Sequence, residues 1–151
     1  MFFGVKNYDQ VLPVYIIDPK DWEIDAFGHT KTGSFRTRFL LESLQDLRSR
    51  IKHLGGDLLI LQGATEKLIP ELVKTYEAGG VYTSKGVAYD EWHREQRIRE
   101  NLDGQLHCFH QETLFHPEDV PFDPDRAPDV FNQFRKQCEA HALIRKPFPI
   151  P

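Results

Sequence analysis

Two short apolar runs separated by a long amphipathic helix constrain the fold of this chain more than any other feature. The run at 11–17 and the run at 57–61 are almost wholly apolar, which is typical of strands buried on both faces. Pro13 removes one ladder donor from the first run without outweighing its apolar character. The intervening segment, 34–54, places apolar side chains at helical spacing: Phe35, Phe39, Leu40, Leu44, Leu47, Ile51 and Leu54. This order predicts a right-handed βαβ unit with parallel strands.

The alternation of strands and helices continues to the end of the chain. We expect Ser34 to cap the long helix and Gly55 to end it. The later elements are predicted as a helix at 65–78 with Pro70 inside it, a strand at 81–83, a charged helix at 89–102, a strand at 105–109, a loop at 111–128 and a helix at 128–142. Residues 1–151 are therefore predicted to form one α/β domain with a parallel sheet flanked by helices.

Composition excludes several function classes. The formal net charge of −4 argues against a nucleic-acid-binding surface on this chain alone, because phosphate contacts need clustered Lys and Arg. Two cysteines, Cys108 and Cys138, make no disulfide framework and favour a reducing compartment. No apolar run approaches the roughly 20 residues of a transmembrane helix. Residues 1–5 are too short for the apolar region of a signal peptide, so a cytoplasmic location without a membrane partner is expected.

Several separate blocks occur in an order that resembles the N-terminal α/β domain of the photolyase/cryptochrome family, and within it the DASH-type cryptochromes. The blocks are Val11–Pro19, Lys31–Leu47, Asp57–Gly63, Thr113–Phe122 and Pro128–Lys136. The resemblance implies a Rossmann-like, three-layer fold in which helices flank a parallel sheet. In a plant it would also imply an organellar location.

The same resemblance implies that the first, central strand of the family is missing or makeshift here. Residues 1–9 replace a strand and a helix, and Phe2–Val5 supply at most a stub. The expected result is two half-sheets with unpaired inner edges, a known aggregation hazard. We expect a late start codon or a gene fragment as the cause. Residues 143–151 are expected to be a linker toward a FAD-binding helical domain that this chain lacks.

The resemblance also implies the function of the parent protein. That function would be blue-light-driven, FAD-dependent repair of pyrimidine dimers, as in DNA photolyases, or photoreception. The chain alone is expected to be an antenna-type domain without catalytic activity, and DNA would be contacted only through the helical flavin domain. Two alternatives remain open: a stand-alone module that docks on a separately encoded flavin domain, and a non-functional gene fragment.

Ligands of open α/β sheets bind beyond the carboxyl ends of strands, near the point where the strand order reverses. The residues at those ends are Asp18, Arg36, Ser84, Lys85 and Gly86. By resemblance they would hold an antenna chromophore, either methenyltetrahydrofolate or a deazaflavin or flavin. Relatives carry an acidic residue at position 86 that hydrogen-bonds the antenna ring. Glycine supplies no such acceptor, so binding is expected to be weak and to improve with Glu at 86.

Each of these residues also has an ordinary structural interpretation. An Asp-Pro after a strand is often only a turn former, and Arg36 can be a solvated side chain with its stem on the sheet edge. Glu91 lies too far into the next helix to be an assured substitute for an acid at 86. The sequence leaves both interpretations open.

A metal site and an acid/base pair are both disfavoured. The candidate metal ligands have no standard zinc spacing, and packing is the expected role of His107, Cys108, His110 and His116. The carboxylate pairs Glu42/Asp46 and Glu91/Glu95 are four residues apart on helices and are expected on solvated faces. No phosphate-binding loop or nucleophile motif is present.

Overall fold

The computed structural model of the chain describes residues 8–147, which contain four strands and four α-helices. The elements in chain order are β1 (Val14–Ile17), α1 (Ser34–His53), β2 (Leu59–Gln62), α2 (Thr65–Thr75), β3 (Val81–Ser84), α3 (Tyr89–Arg99), β4 (Leu106–Phe109) and α4 (Phe131–His141). Short 3-10 helices lie at Pro19–Trp22, Pro117–Asp119 and Pro124–Arg126. The predicted α/β fold class is confirmed, because strands alternate with helices through β4.

The four strands pair as two separate parallel ladders. β1 pairs with β2 from Val14–Leu59 to Ile17–Gln62, and β3 pairs with β4 from Val81–Leu106 to Ser84–Phe109. Within the described residues β1 does not pair with β3. Both ladders are parallel, as predicted. The proposed stub at Phe2–Val5 lies outside the described residues.

Each half-sheet has its own hydrophobic core. One core contains Leu44 and Ile51 of α1 and Leu58, with Tyr15, Leu40 and Ile60 packed around them. The other contains Ile98, Leu102 and Leu106, with Ile69, Val73, Val81 and Cys108 around them. Helix α1 therefore covers β1–β2, whereas α2 and α3 supply the residues that cover β3–β4. Fully burying one such aliphatic side chain contributes about 1.5–3 kcal/mol.

Four residues assigned to the buried face of α1 are exposed instead: Phe35, Phe39, Leu47 and Leu54. Phe35 is 91% exposed and Phe39 is 71% exposed. Phe39 precedes the buried Leu44 by five residues, which is about 140° around a helix. The apolar positions assigned to α1 therefore form a buried stripe around Leu44 and Ile51 and a separate exposed set.

The boundaries of α1 differ from the prediction at one end. The residue at the N-cap is Gly33 rather than Ser34, and no side chain caps the helix. At the other end Gly55 has φ of 86°, and its amide donates to the Lys52 carbonyl. This left-handed conformation favours glycine and confirms the predicted stop.

Two prolines affect the elements that they precede or occupy. β1 begins at Val14 rather than at residue 11, and Pro13 precedes it, using its carbonyl to accept from the Leu59 amide at 2.9 Å. Pro70 lies inside α2, as predicted.

No helix within residues 8–147 is long and apolar enough to cross a membrane.

Candidate functional site

Asp18 follows β1 directly and is built into the fold. Its carboxylate is 1% exposed. Oδ1 accepts from the Lys20 amide at 3.1 Å, and Oδ2 accepts from the amide and hydroxyl of Thr65 at 3.0 and 2.9 Å. The side chain thus joins the carboxyl end of β1 to the first residue of α2. A ligand could reach this carboxylate only if it displaced Thr65.

The environment of Asp18 favours its charged form. Burial opposes ionisation, but the hydrogen bonds from Thr65 and Lys20 outweigh it and hold the pKa of Asp18 below its ordinary value. The positive charge of Arg94 acts in the same direction. Asp18 is therefore a satisfied, ionised carboxylate.

Arg36 lies in the first turn of α1 and is exposed. Among the described residues it makes no hydrogen bond and no ion pair. Its charge nevertheless reaches the end of β1: burial and Asp21 raise the pKa of Tyr15, and Arg36 partly offsets this. The first turn of α1 contains no acidic residue, so nothing on that helix end balances Arg36. A cation at a helix N-terminus is electrostatically unfavourable, which leaves Arg36 available to an anionic group.

Ser84 and Lys85 have local partners at the end of β3. The Ser84 hydroxyl donates to Oε1 of Gln111 at 3.0 Å, and the Lys85 amide donates to the Phe109 carbonyl at 2.8 Å. The second bond extends the β3–β4 ladder by one residue. These contacts fix the loop that leads to Gly86.

Gly86 packs against Glu91. A Cβ atom at position 86 would lie 2.5 Å from the Glu91 Cβ and 2.8 Å from Oε2. Oε2 of Glu91 accepts from the amides of Val87 and Ala88, both at 3.1 Å. Glu91 therefore caps α3, because Ala88 at the N-cap has no side-chain acceptor. Oε1, the second oxygen of Glu91, has no hydrogen-bond partner among the described residues.

Glu91, expected to lie too far into α3 to be an assured substitute for an acid at 86, nevertheless contacts position 86 directly. Its carboxylate occupies the space that a side chain at 86 would need. The same contact opposes the expectation that Glu at 86 would simply strengthen ligand binding. A larger residue there has to move Glu91 and break the cap.

Ion pairs connect the chain that leaves β1 with α3. Lys31 Nζ lies 2.7 Å from Asp90, and Arg94 donates to Asp21 at 2.8 Å. A third link runs through α2, where Oε1 of Glu66 accepts from Lys20 Nζ at 2.8 Å and from Arg97 Nε at 2.9 Å. The sequence analysis missed these residues, because the partners are 31 to 73 residues apart. The only sequence signal is that Arg94 and Arg97 share one side of α3.

The remaining candidates behave as packing or surface residues. Within residues 8–147 no group of three potential ligands could hold a metal ion. The rings of His110 and His116 meet edge to face at 5.4 Å, and burial raises the pKa of the Cys108 thiol. Glu42 and Asp46 pair with Arg38 and Arg50 on the surface of α1. Glu95, by contrast, is buried and bound to Arg99.

An open surface pocket of about 500 Å³ lies beside α1. Trp22, Thr37 and Leu41 line part of it, and the Trp22 indole donates to the Thr37 hydroxyl at 2.7 Å. None of the five predicted site residues lines this pocket.

Comparison with known proteins assigns the family. Residues 4–151 match the DNA photolyase family. The chain belongs to the DNA photolyase family. It is 39% identical over 145 residues to the cryptochrome DASH of Gloeobacter violaceus, and the match covers 94% of this chain and 29% of that protein. It is 36% identical over 152 residues to the chloroplastic/mitochondrial cryptochrome DASH of Arabidopsis thaliana, covering 97% of this chain and 27% of the relative.

Solved structures of the photolyase family share the fold. A cryptochrome from Synechocystis sp. PCC6803 superposes with a TM-score of 0.86 at 32% identity, covering 89% of this chain and 29% of that chain. An archaeal photolyase from Sulfolobus tokodaii, solved with two FAD molecules, superposes with a TM-score of 0.73 at 18% identity and shows the fold alone. The chain spans less than a third of the length of these relatives. It corresponds to the N-terminal, antenna-type domain of a DASH cryptochrome.

The structure thus brings the predicted site residues of this photolyase-family domain to one edge of the two half-sheets but gives them different roles. Asp18 and the backbone of Lys85 stabilise the fold, and Ser84 pairs with Gln111. The charged groups of the Arg36 and Lys85 side chains have no hydrogen-bond or ion-pair partner among the described residues. Their use by a chromophore stays a prediction.

Substituting Asp18 with Asn should destabilise the domain. An amide cannot accept all three hydrogen bonds, so we expect the free energy of unfolding at pH 7 to fall by about 1–3 kcal/mol. The folded-state pKa of Asp18 is lowered, so its stabilisation is complete above the unfolded pKa and is lost as pH falls through the folded pKa. The gap between the two proteins should therefore narrow below about pH 4.

Urea denaturation at several pH values measures this effect. Asp46→Asn is the control, because Asp46 forms an exposed ion pair with Arg50 and its loss should cost less than about 1 kcal/mol. Equal stability of Asp18→Asn and the unmodified chain at pH 7 would contradict the role given to Asp18.

Substituting Gly86 with Ala should also destabilise the domain. The new Cβ would meet the Glu91 Cβ, which lies close to the backbone and cannot swing away. We expect a loss of about 1–3 kcal/mol in urea denaturation, and a larger loss for Gly86→Glu. Gly33→Ala is the control, since open space surrounds a Cβ at that position. A Gly86→Glu protein of unchanged stability would show that the loop adopts another path.

Proposed function

We propose that the chain is a chromophore-binding domain that supplies a DASH-type blue-light protein with an antenna and has no catalytic activity alone. The observation that carries the proposal is the extent of the match. The relatives align with 94–97% of this chain but only 27–29% of their own length. A domain that matches one terminal third of a light-dependent flavoprotein family is expected to keep that domain's task.

Two groups at the strand ends fit an antenna chromophore. Arg36 is an exposed cation without a partner in the described part of the chain, and it suits the carboxylate of a folate or the phosphate of a flavin. Oε1 of Glu91 is an acceptor for a ring N–H, held in place because Oε2 caps α3. Asp18 is excluded from direct contact in this conformation, since both of its oxygens are used.

The chromophore would supply light absorption and excitation transfer to a flavin. The residues of this chain would bind and orient it: Arg36 by charge and Glu91 by a hydrogen bond. The supporting residues are few, and a methenyltetrahydrofolate or deazaflavin is expected to bind weakly. Glycine at 86 leaves Glu91 as the acidic acceptor at this end of β3.

The partner in this proposal is a FAD-binding helical domain, either in the same chain or in a separate one. Pyrimidine-dimer repair or photoreception would belong to that assembly, and DNA would be contacted through the helical domain. A cytoplasmic location is part of the proposal. The Arabidopsis relative carries a chloroplastic/mitochondrial name, and a plant source would favour the organelles.

Titration of methenyltetrahydrofolate and of a deazaflavin, followed by fluorescence, tests chromophore binding. We expect a Kd of roughly tens of micromolar for one of them. Arg36→Gln should weaken it about five-fold, since one exposed ion pair contributes about 1 kcal/mol. Arg38→Gln is the control, because Arg38 lies on the same helix but pairs with Glu42 at 2.8 Å. Equal affinity of the two variants would exclude Arg36 from the site, and absence of binding to both ligands would refute the antenna role.

Light-dependent repair tests whether the chain is catalytic. The purified chain, supplied with FAD and blue light, should leave pyrimidine dimers in a single-stranded oligonucleotide unrepaired, as measured by chromatography. An active photolyase in the same assay is the positive control. Repair above the dark rate by this chain would overturn the view that it needs a helical flavin domain.

A further inference from the structure

Charged side chains near the ends of β1 and β3 connect the two half-sheets. In a continuous parallel sheet, ladder hydrogen bonds fix the distance between neighbouring strands. Within the described residues no ladder joins β1 to β3. Charged side chains link the chain that leaves β1 with α3, the helix that follows β3. Three such connections exist, through Asp90, Asp21 and Glu66.

Glu66 is the most buried acid of these connections. Its side chain is 12% exposed, whereas Asp21 and Asp90 are 41% and 65% exposed. An ion pair is screened less by water and salt as it is buried. The Glu66 connection therefore constrains the spacing more than the two outer ones.

Glu66 also has an unusual hydrogen-bond pattern. Oε1 receives both cations, Lys20 from the 3-10 helix after β1 and Arg97 from α3. Because α2 begins at Thr65, whose amide and hydroxyl bind Asp18, the backbone of Glu66 is itself tied to the end of β1. One carboxylate oxygen thus holds α3 against a fixed point of the other half-sheet. Arg94 lies in the field of the same acids, Asp21, Asp18 and Glu66.

We propose that Glu66 is a positioning residue: by holding Lys20 and Arg97 on one carboxylate oxygen, it sets the position of α3, and with it Glu91, relative to the end of β1, where the proposed chromophore binds. The inference rests on the proposed function for the identity of the ligand. It adds a residue that contacts no chromophore and acts through α3. Glu91 and the loop at Gly86 begin α3, so a shift of α3 moves them relative to Arg36.

Glu66→Gln tests the inference, because it removes the charge and keeps the volume. Glu71→Gln is the matched control: Glu71 lies exposed on the same helix and has no partner among the described residues. Amide hydrogen exchange should accelerate about ten-fold in residues 18–22 and 94–99 of the Glu66 variant. The Kd for methenyltetrahydrofolate, measured well below the unfolding temperature, should rise about ten-fold. The Glu71 variant should match the unmodified chain in both measurements.

The exchange and binding results test the role of Glu66 and the chromophore-binding function separately. Unchanged exchange in both segments of Glu66→Gln overturns the inference, whatever the chromophore does. Faster exchange with an unchanged Kd also overturns it, since Glu66 would then have a purely structural role. If the unmodified chain binds no chromophore, the proposed function fails, and the exchange result alone decides whether Glu66 sets the spacing.

Discussion

The hydrogen-bond ladders within residues 8–147 stop at the boundary between two pairs of strands, and the rest of the structure depends on this constraint. β1 and β2 share one ladder and one core under α1, and β3 and β4 share another under α2 and α3. Among the described residues, the hydrogen bonds from Thr65 to Asp18 and the ion pairs at the carboxyl ends of the strands connect the two halves. Ion pairs are weaker and more sensitive to salt than a sheet ladder. The relative position of the halves should consequently depend on ionic strength more than either core does.

Some charged side chains at the carboxyl ends of the strands form hydrogen bonds or ion pairs within the fold, and others do not. Asp18 and Glu66 are both ionised. Amides and a hydroxyl occupy both oxygens of Asp18, and two cations bind Oε1 of Glu66, whereas its buried Oε2 has no hydrogen-bond partner among the described residues. The Lys20 side chain lowers the pKa of Glu66, outweighing burial, with Arg97 adding to the effect. Arg36 is an exposed cation that has no ion-pair partner among the described residues. Although the net charge of the chain is −4, the unpaired charge beside the end of β1 is positive and suits an anionic ligand.

The sequence was sufficient to predict the strands and helices, but it did not predict the side-chain contacts at the ends of the strands. Apolar runs and helical spacing located β1, α1 and β2 because burial imposes those periods directly. Phe35 and Phe39 were misassigned because apolar character was counted without the angle around the helix. The Glu66 cluster could not be read from the chain, since its members lie 31 and 46 residues apart and carry ordinary surface residue types. The resemblance located the strand ends but not the competition for space among their side chains.

That competition explains why Gly86 and Glu91 must be considered together. α3 begins at Tyr89 after an alanine, so Glu91 supplies the side-chain cap for the exposed amides of Val87 and Ala88. The capping conformation brings the Glu91 Cβ to within 2.5 Å of any Cβ at position 86. In this loop conformation a side chain at 86 and the Glu91 cap exclude each other. A relative with an acid at 86 therefore has to route the loop differently or cap its helix differently. In this chain the orientation of the Glu91 carboxylate at the end of β3 therefore follows that of α3.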